Sequence, residues 1–315
     1  MNEIGGYFGL EINNGIEYHS NAIHLNTGRN CLEYILRAKQ IKKIYVPYYT
    51  CDVILEPIKK LGIVYEFYSI DKNFNPIFSI NTEEDEAFLY TNYFGVKTKK
   101  VIELSFKIIN LIIDNSQAFF ADPVPNIDTF YSARKFFGVP DGAYLYTNTL
   151  LNEELNQDES YTRCAHLLKR IDLGASSGYA DFTSNDKVLE NLPILRMSKL
   201  TKSILTGIDY ERIKNIRLHN FKFLHKSLSH LNELTIDSES ESPMIYPFLL
   251  SGSNLKSYLI KNRIFVATYW PNVLKWIKPD SLERHLSKYL IPLPIDQRYD
   301  EEILSFMVDK ILKFC

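Results

Sequence analysis

The sequence predicts an α/β protein: a mostly parallel central sheet flanked by helices, with a smaller C-terminal α/β domain. Three observations carry this. Apolar runs of strand length alternate with segments of helical period through the first half. One helical segment opens on a capping residue, Thr27, and the next stops at a glycine, Gly62. From about residue 150 the pattern turns largely helical, and a second, shorter strand–helix alternation begins near residue 244. Strands separated by helices need crossover connections, which give parallel pairing with both sheet faces covered. The domain boundary is expected near residue 205, dividing the chain into 1–205 and 206–315.

Element by element, Thr27 is a good N-cap for a helix over about 28–40, where Leu32, Ile35 and Leu36 share one face. Residues 43–47 read as a strand, and 51–61 as a helix stopped at Gly62. Strands follow over 63–68 and 87–91, a helix over 99–106, and strands over 108–114 and 142–146. In the second half, the segment 210–231 sets Ile213, Ile216, Leu224 and Leu228 among polar residues and reads as a long helix. A strand over 244–250, a helix over 253–262, a strand over 264–267 and a final helix over 300–314 complete the chain. Residues 238–242 read as a solvated loop.

Composition narrows the function classes. Of 315 residues, 45% are hydrophobic and 23% charged, enough for a sizeable core. A net charge of −2 gives no reason to expect nucleic acid or an anionic membrane as partner. Cys31, Cys51, Cys164 and Cys315 match no zinc or CxxC spacing, so reduced thiols in a cytoplasmic protein are expected. No run approaches 18 apolar residues, and the first residues lack the basic and apolar regions of a secretory signal. The seven histidines show no metal-ligand spacing, so neither a metal nor a Ser-His-Asp triad is proposed.

Two islands carry chemistry. Asp114 ends an apolar run in Ile113-Asp114-Asn115-Ser116-Gln117-Ala118. Lys135 sits in Ser132-Ala133-Arg134-Lys135-Phe136-Phe137-Gly138, just before a Gly-containing turn. An amine able to form a Schiff base and a carboxylate able to hold a pyridinium nitrogen are the minimum equipment for pyridoxal 5'-phosphate (PLP) chemistry. The ordinary alternatives are a turn-forming aspartate and a surface lysine. Phe136 and Phe137 argue that Lys135 is partly buried, with the lowered pKa of a competent nucleophile. Gly28, Arg29 and Asn30 open the first predicted helix, where free N–H groups make an anion site suited to the cofactor phosphate. Ser132 offers a hydroxyl to the same phosphate. Tyr93 or Tyr49 is placed to stack on the cofactor ring, with a core role as the alternative for either. Tyr269-Trp270-Pro271 lines a substrate cleft or serves packing.

These islands resemble the DegT/DnrJ/EryC1/StrS family of PLP-dependent sugar aminotransferases, over most of the chain. Thr27-Gly28-Arg29-Asn30-Cys31-Leu32 is similar to the family's phosphate-contacting element, and Val46-Pro47-Tyr48-Tyr49-Thr50 to its Val-Pro-x-x-Thr strand end. Asp114 with Gln117 resembles the segment supplying the pyridinium acid and a glutamine beside the ring. Ser132 to Gly142 resembles the Schiff-base lysine segment. Arg196-Met197-Ser198 and Leu293-Pro294-Ile295 resemble two shorter elements. The chain departs from the pattern at Arg29 and Asn30, where small residues are usual, at Cys51 in place of an aromatic, at Ile194 in place of an asparagine, and in the spacing of Ser132 from the lysine.

The resemblance implies fold type I, the aspartate aminotransferase-like architecture, and a homodimer. It implies transfer of an amino group from a donor such as glutamate to a keto sugar, nucleotide-linked, in surface-polysaccharide biosynthesis. Lys135 is then the catalytic residue, and Asp114, Gln117, Ser132, Gly28, Arg29, Asn30, Tyr93 and Tyr49 contact the cofactor. Two alternatives stay open from the sequence: another PLP enzyme on the same scaffold, and a non-catalytic member that binds a sugar nucleotide.

Overall fold

A computed structural model describes residues 4–78, 82–241 and 243–315. Its strands are β1 (Ile23–Leu25), β2 (Lys43–Pro47), β3 (Val64–Ile70), β4 (Pro76–Ile77), β5 (Glu86–Thr91), β6 (Leu111–Asp114), β7 (Asp128–Ser132), β8 (Ala143–Tyr146), β9 (Ile245–Leu249) and β10 (Leu290–Pro294). Its helices are α1 (Gly28–Ala38), α2 (Leu55–Lys60), α3 (Thr98–Ser105), α4 (Ala165–Asp172), α5 (Tyr179–Val188), α6 (Lys199–Thr206), α7 (Tyr210–Leu228), α8 (Leu255–Lys261), α9 (Val273–Trp276), α10 (Leu282–Tyr289) and α11 (Glu301–Phe314). β1 to β8 form one sheet in the order β1-β8-β7-β6-β5-β2-β3-β4. The pairs β3–β2, β2–β5, β5–β6 and β6–β7 are parallel, while β3–β4, β7–β8 and β8–β1 are antiparallel.

The central strands are buried on both faces, as a parallel sheet requires. Alternate residues divide between two cores. Ile44, Val46, Ala87, Leu89 and Ile112 pack with Leu32, Ile35 and Leu36 of α1 and with Leu55 and Ile58 of α2. Tyr45, Phe88, Tyr90 and Ile113 belong to the opposite core, which continues into Phe221 and Leu224 of α7 and through β9 and β10 to α11. Both halves of the chain therefore share one hydrophobic cluster. Thr27 caps α1, its side chain accepting from the Asn30 N–H at 3.2 Å.

Three expectations need correction. The run 264–267 forms no strand; instead β10 pairs antiparallel with β9, in register from Leu290↔Leu249 to Pro294↔Ile245. β1 and β7 were absent from the sequence reading, and β7 is the strand that leads into Lys135. The predicted 51–61 helix begins as a 3-10 turn over Asp52–Ile54 before α2. Of the predicted 238–242 loop, position 242 lies outside the described residues.

Candidate functional site

Strand direction decides where the chemistry gathers. β2, β5, β6 and β7 run parallel, so their C-terminal ends share one edge of the sheet. β8 opposes β7 and β1 opposes β8, so β1 also ends there. That edge carries Tyr48-Tyr49-Thr50-Cys51 after β2, Asn92-Tyr93 after β5, Asp114 to Gln117 at the end of β6, Ser132 to Lys135 at the end of β7, and the start of α1 after β1. In open α/β sheets this is the edge beyond which ligands bind.

Asp114 is level with Thr91 and Phe130 of its neighbours. Asp114 is buried, and one carboxylate oxygen accepts from the Ser116 N–H at 2.8 Å. The other oxygen takes no hydrogen bond among the described residues. The following segment is fixed from both sides: Asn115 N–H donates to the Phe130 carbonyl at 2.8 Å, and Asn92 Nδ2 donates to Asn115 Oδ1 at 3.1 Å. Gln117 is buried, its Oε1 accepting from the Phe94 N–H at 2.7 Å. Behind Asp114, burial and the nearby carboxylate push the Cys31 thiol well up.

Gly28 opens α1 against the same loop. A Cβ there would stand 3.4 Å from Ser116 Oγ and 3.6 Å from the Phe130 ring. The Gly28 and Arg29 N–H groups take no partner among the described residues, as expected in a first helical turn. The Arg29 guanidinium turns away to an ion pair with Glu56, so only its backbone N–H remains for an anion. Asn30 is likewise engaged, with its Nδ2 on the Leu192 carbonyl at 3.0 Å and its Oδ1 accepting from the Thr27 hydroxyl.

Lys135 ends a single 3-10 turn, Ala133–Lys135, and its side chain is exposed. This corrects the expectation of a partly buried lysine. Ala133, Phe136 and Phe137 face the core, and a tight turn that points those three inward leaves Lys135 outward. Its ammonium forms no ion pair among the described residues, Asp114 included. It lies near Cys51, where burial pushes the thiol up while the Val53 amide and the Lys135 charge pull it down. Ser132, half-buried, precedes the turn.

Tyr49 and Tyr93 are both fully buried, with their rings stacked at 5.7 Å and the Tyr93 hydroxyl donating to the Tyr49 carbonyl at 3.0 Å. The structure gives both a core role, the alternative the sequence left open. The Tyr49 hydroxyl is buried without a partner. Residues 269–272 close over this corner. Trp270 meets Tyr49 edge-on at 4.9 Å, Tyr269 stacks on Phe94 at 6.0 Å, and Asn272 Nδ2 donates to the Thr50 carbonyl at 2.9 Å. The Tyr269 hydroxyl, near Cys51, is pushed up to about 12, mainly by burial. The Tyr-Trp-Pro string was visible in the sequence. Its placement against Tyr49 and Cys51 was not, because that contact joins positions more than 200 residues apart.

A cleft of about 490 Å³ lies at the β1 side of the sheet, apart from the strand-end cluster. Arg196, Lys199, Lys202, His24, Gln157 and Glu153 contribute to its wall. Glu153 is paired to Arg37 at 2.7 Å, while the three cations have no acidic partner within ion-pair distance among the described residues. Next to Arg196 in the chain, Met197 reaches within 3.4 Å of a Cβ built on Gly142, and Ala133 of the lysine turn stands 3.5 Å from the same point. Among the described residues no group of His, Cys, Asp and Glu could hold a metal ion, and no helix is long and apolar enough to cross a membrane.

No family model matches the sequence, and no curated protein matches it. Solved structures do. A DegT DnrJ EryC1 StrS aminotransferase from Brucella abortus is 14% identical, with a TM-score of 0.61, over 93% of this chain and 85% of that one. NtdA from Bacillus subtilis, solved with bound cofactor PMP, is 12% identical with a TM-score of 0.65, over 93% and 73%. DesI, solved in the presence of its TDP-sugar product, is 11% identical with a TM-score of 0.63, over 92% and 79%. The likeness establishes the fold. The chain is built on the fold-type I scaffold, the architecture of these aminotransferases.

Proposed function

We propose that this protein is a PLP-dependent aminotransferase of the DegT/DnrJ/EryC1/StrS type, converting a nucleotide-linked keto sugar to an amino sugar with an amino-acid donor such as glutamate. One observation carries the reading. Asp114 and the Lys135 turn end adjacent, hydrogen-bonded parallel strands, with the open start of α1 on the same edge, in the fold of solved sugar aminotransferases. The residues present fit the cofactor on two further counts. Asp114 keeps one carboxylate oxygen for a pyridinium N–H, and the missing side chain of Gly28 leaves room before Ser116 and Phe130, beside two unpartnered amides.

When bound, PLP supplies an electron sink that lets a substrate C–H bond break. Lys135 would hold the cofactor through Nζ, then carry the proton as general base and acid. Asp114 would keep the ring nitrogen protonated. Gln117, whose side chain is locked to the Phe94 amide, would position the ring. The N–H groups of Gly28 and Arg29, with the Ser132 hydroxyl, would hold the phosphate. Tyr269 and Trp270 would wall the site. We further read the active form as a homodimer, in line with the exposed apolar side chains that α4 and α5 carry.

The test is covalent. Protein mixed with PLP and reduced with borohydride is expected to carry the cofactor on Lys135 in the mapped peptide, and Lys135→Ala is expected to carry none there. Glutamate is expected to convert the bound pyridoxal form to the pyridoxamine form, a change a lyase would not show. An adduct on a different lysine, or none, would overturn the assignment.

A further inference from the structure

We propose that Arg217 and Gln297, both beyond residue 205, are positioning residues that set where the Lys135 amine stands by clamping the turn that carries it. This rests on the reading of Lys135 as the cofactor-bearing lysine.

The Lys135 side chain is exposed and makes no hydrogen bond or ion pair among the described residues. Its place is therefore set by its backbone. That backbone is one short turn. Phe136 N–H donates to the Ala133 carbonyl at 3.0 Å, Phe137 N–H to the same carbonyl at 2.9 Å, and Ala133 N–H to the Gly142 carbonyl at 3.1 Å. The carbonyl of Phe136, the residue directly after Lys135, is held from the second half of the chain instead. Gln297 Nε2 donates to it at 2.9 Å, and Arg217 Nη2 makes a longer contact at 3.5 Å. The Arg217 guanidinium also lies over the Phe136 ring, 4.5 Å from its centroid.

Arg217 is an expensive residue to keep there. It is 3% exposed, and burial pulls its guanidinium down to about 10. It forms no ion pair among the described residues; the Asp296 carboxylate, near enough to favour its charge, is held by both nitrogen arms of Arg298, at 2.6 and 2.7 Å. Its remaining bond goes from Nη1 to the Met244 carbonyl at 3.1 Å, and its Nε has no partner. A buried cation with no carboxylate in ion-pair contact loses hydration that an apolar residue of similar volume would not. What it gains is a grip on Phe136, both ring and carbonyl. One turn along α7, Asn220 Nδ2 donates to the Ile295 and Tyr299 carbonyls at 3.1 and 3.0 Å, tying α7 to the loop that bears Gln297. Arg217 and Gln297 thus act from a single block, and displacement of that block against the sheet moves the lysine turn with it.

The experiment compares the full-length wild type with Arg217→Met, which keeps an apolar stem, and Gln297→Leu. Hydrogen exchange of the Phe136 and Phe137 amides is measured without added PLP, and the rate of borohydride-trapped PLP capture at Lys135 is measured with it. Each variant is expected to exchange those amides about tenfold faster and to capture PLP about tenfold more slowly, the scale of one lost net hydrogen bond. Affinity for pyridoxamine phosphate, which has no aldehyde to capture, is expected to stay within about twofold, since neither residue is placed in the cofactor pocket. Wild-type exchange in both variants overturns the clamp, whatever the melting temperatures do. If Arg217→Met does not fold, Gln297→Leu, which loses one half-buried contact, decides alone. A wild type that traps PLP on another lysine overturns the reading of Lys135, and the exchange data still judge the clamp by themselves.

Discussion

At the scale of single residues, environment separates groups that look alike in sequence. His19 is one of seven histidines and drew no attention as a motif. In the structure it lies between the rings of Tyr131, Phe119 and Tyr144. Its Nε2 is 2.8 Å from the Phe119 carbonyl and its Nδ1 3.1 Å from the Tyr146 hydroxyl. Burial pulls its pKa from 6.5 to about 4. Above pH 6.5 folded and unfolded rings are both neutral, and the group adds no pH dependence. Between 6.5 and about 4 the unfolded ring binds a proton that the folded ring refuses, so stability falls as pH falls, by about 3 kcal/mol over the window. Urea midpoints across pH 4–7 check this. His19→Gln is expected to flatten that part of the curve, and an unchanged slope would assign the titration elsewhere. Lys135 teaches the converse. Its identity as the candidate amine was legible from its neighbours, but its exposure was not, because two phenylalanines next in sequence face the core while the lysine faces out.

At the scale of elements, legibility followed local pattern. α1, β2, β5 and β6 were readable because capping, period and apolar content agree in each. β7 was not: Asp128-Thr129-Phe130-Tyr131-Ser132 looks half polar, yet Asp128 and Thr129 are buried. The run 264–267 misled in the other direction. It is apolar, but Phe265 is exposed and β9 pairs with β10 instead. Connections between elements were least legible, and Asp141 shows why they matter. It follows the lysine turn, is fully buried, and accepts from the Ser198 N–H at 2.8 Å, the Ser198 hydroxyl at 2.7 Å and the Thr201 hydroxyl. It thereby pins the start of α6 beside Gly142, whose φ of +112° and contact with Thr201 leave no room for a side chain. Asp141→Ala would strand two buried donors, the Ser198 N–H and the Thr201 hydroxyl, and is expected to lower unfolding free energy by about 3 kcal/mol. Asp141→Asn, which keeps an acceptor oxygen, should lose less. Chemical denaturation distinguishes the two, and equal losses would show that the carboxylate network is not what holds α6.

At the scale of the whole molecule, one surface does not look finished. α4 buries none of its residues, and Leu168 and Ile171 are 59% and 82% exposed. Its partner α5 adds Tyr179, Phe182 and Val188, also exposed. α4 and α5 pack on each other, with His166 against Phe182 at 5.8 Å, so the apolar residues they expose belong to one hairpin. Where exposed apolar residues cluster into a patch, they mark an interface more often than a solvated face. If the homodimer proposed above forms here, the occupant is a second copy of the chain, packed about a twofold axis. Light scattering should then give about twice the chain mass of 36.7 kDa. The double substitution Leu168→Glu with Ile171→Glu places like charges against that contact and is expected to shift the protein to monomer, with unfolding free energy of the isolated chain changed by less than about 1 kcal/mol because neither side chain is buried. A dimer that persists in the double variant would move the interface to another surface. A wild type that runs as a monomer would remove the partner altogether and leave the strand-end site to be completed within one chain.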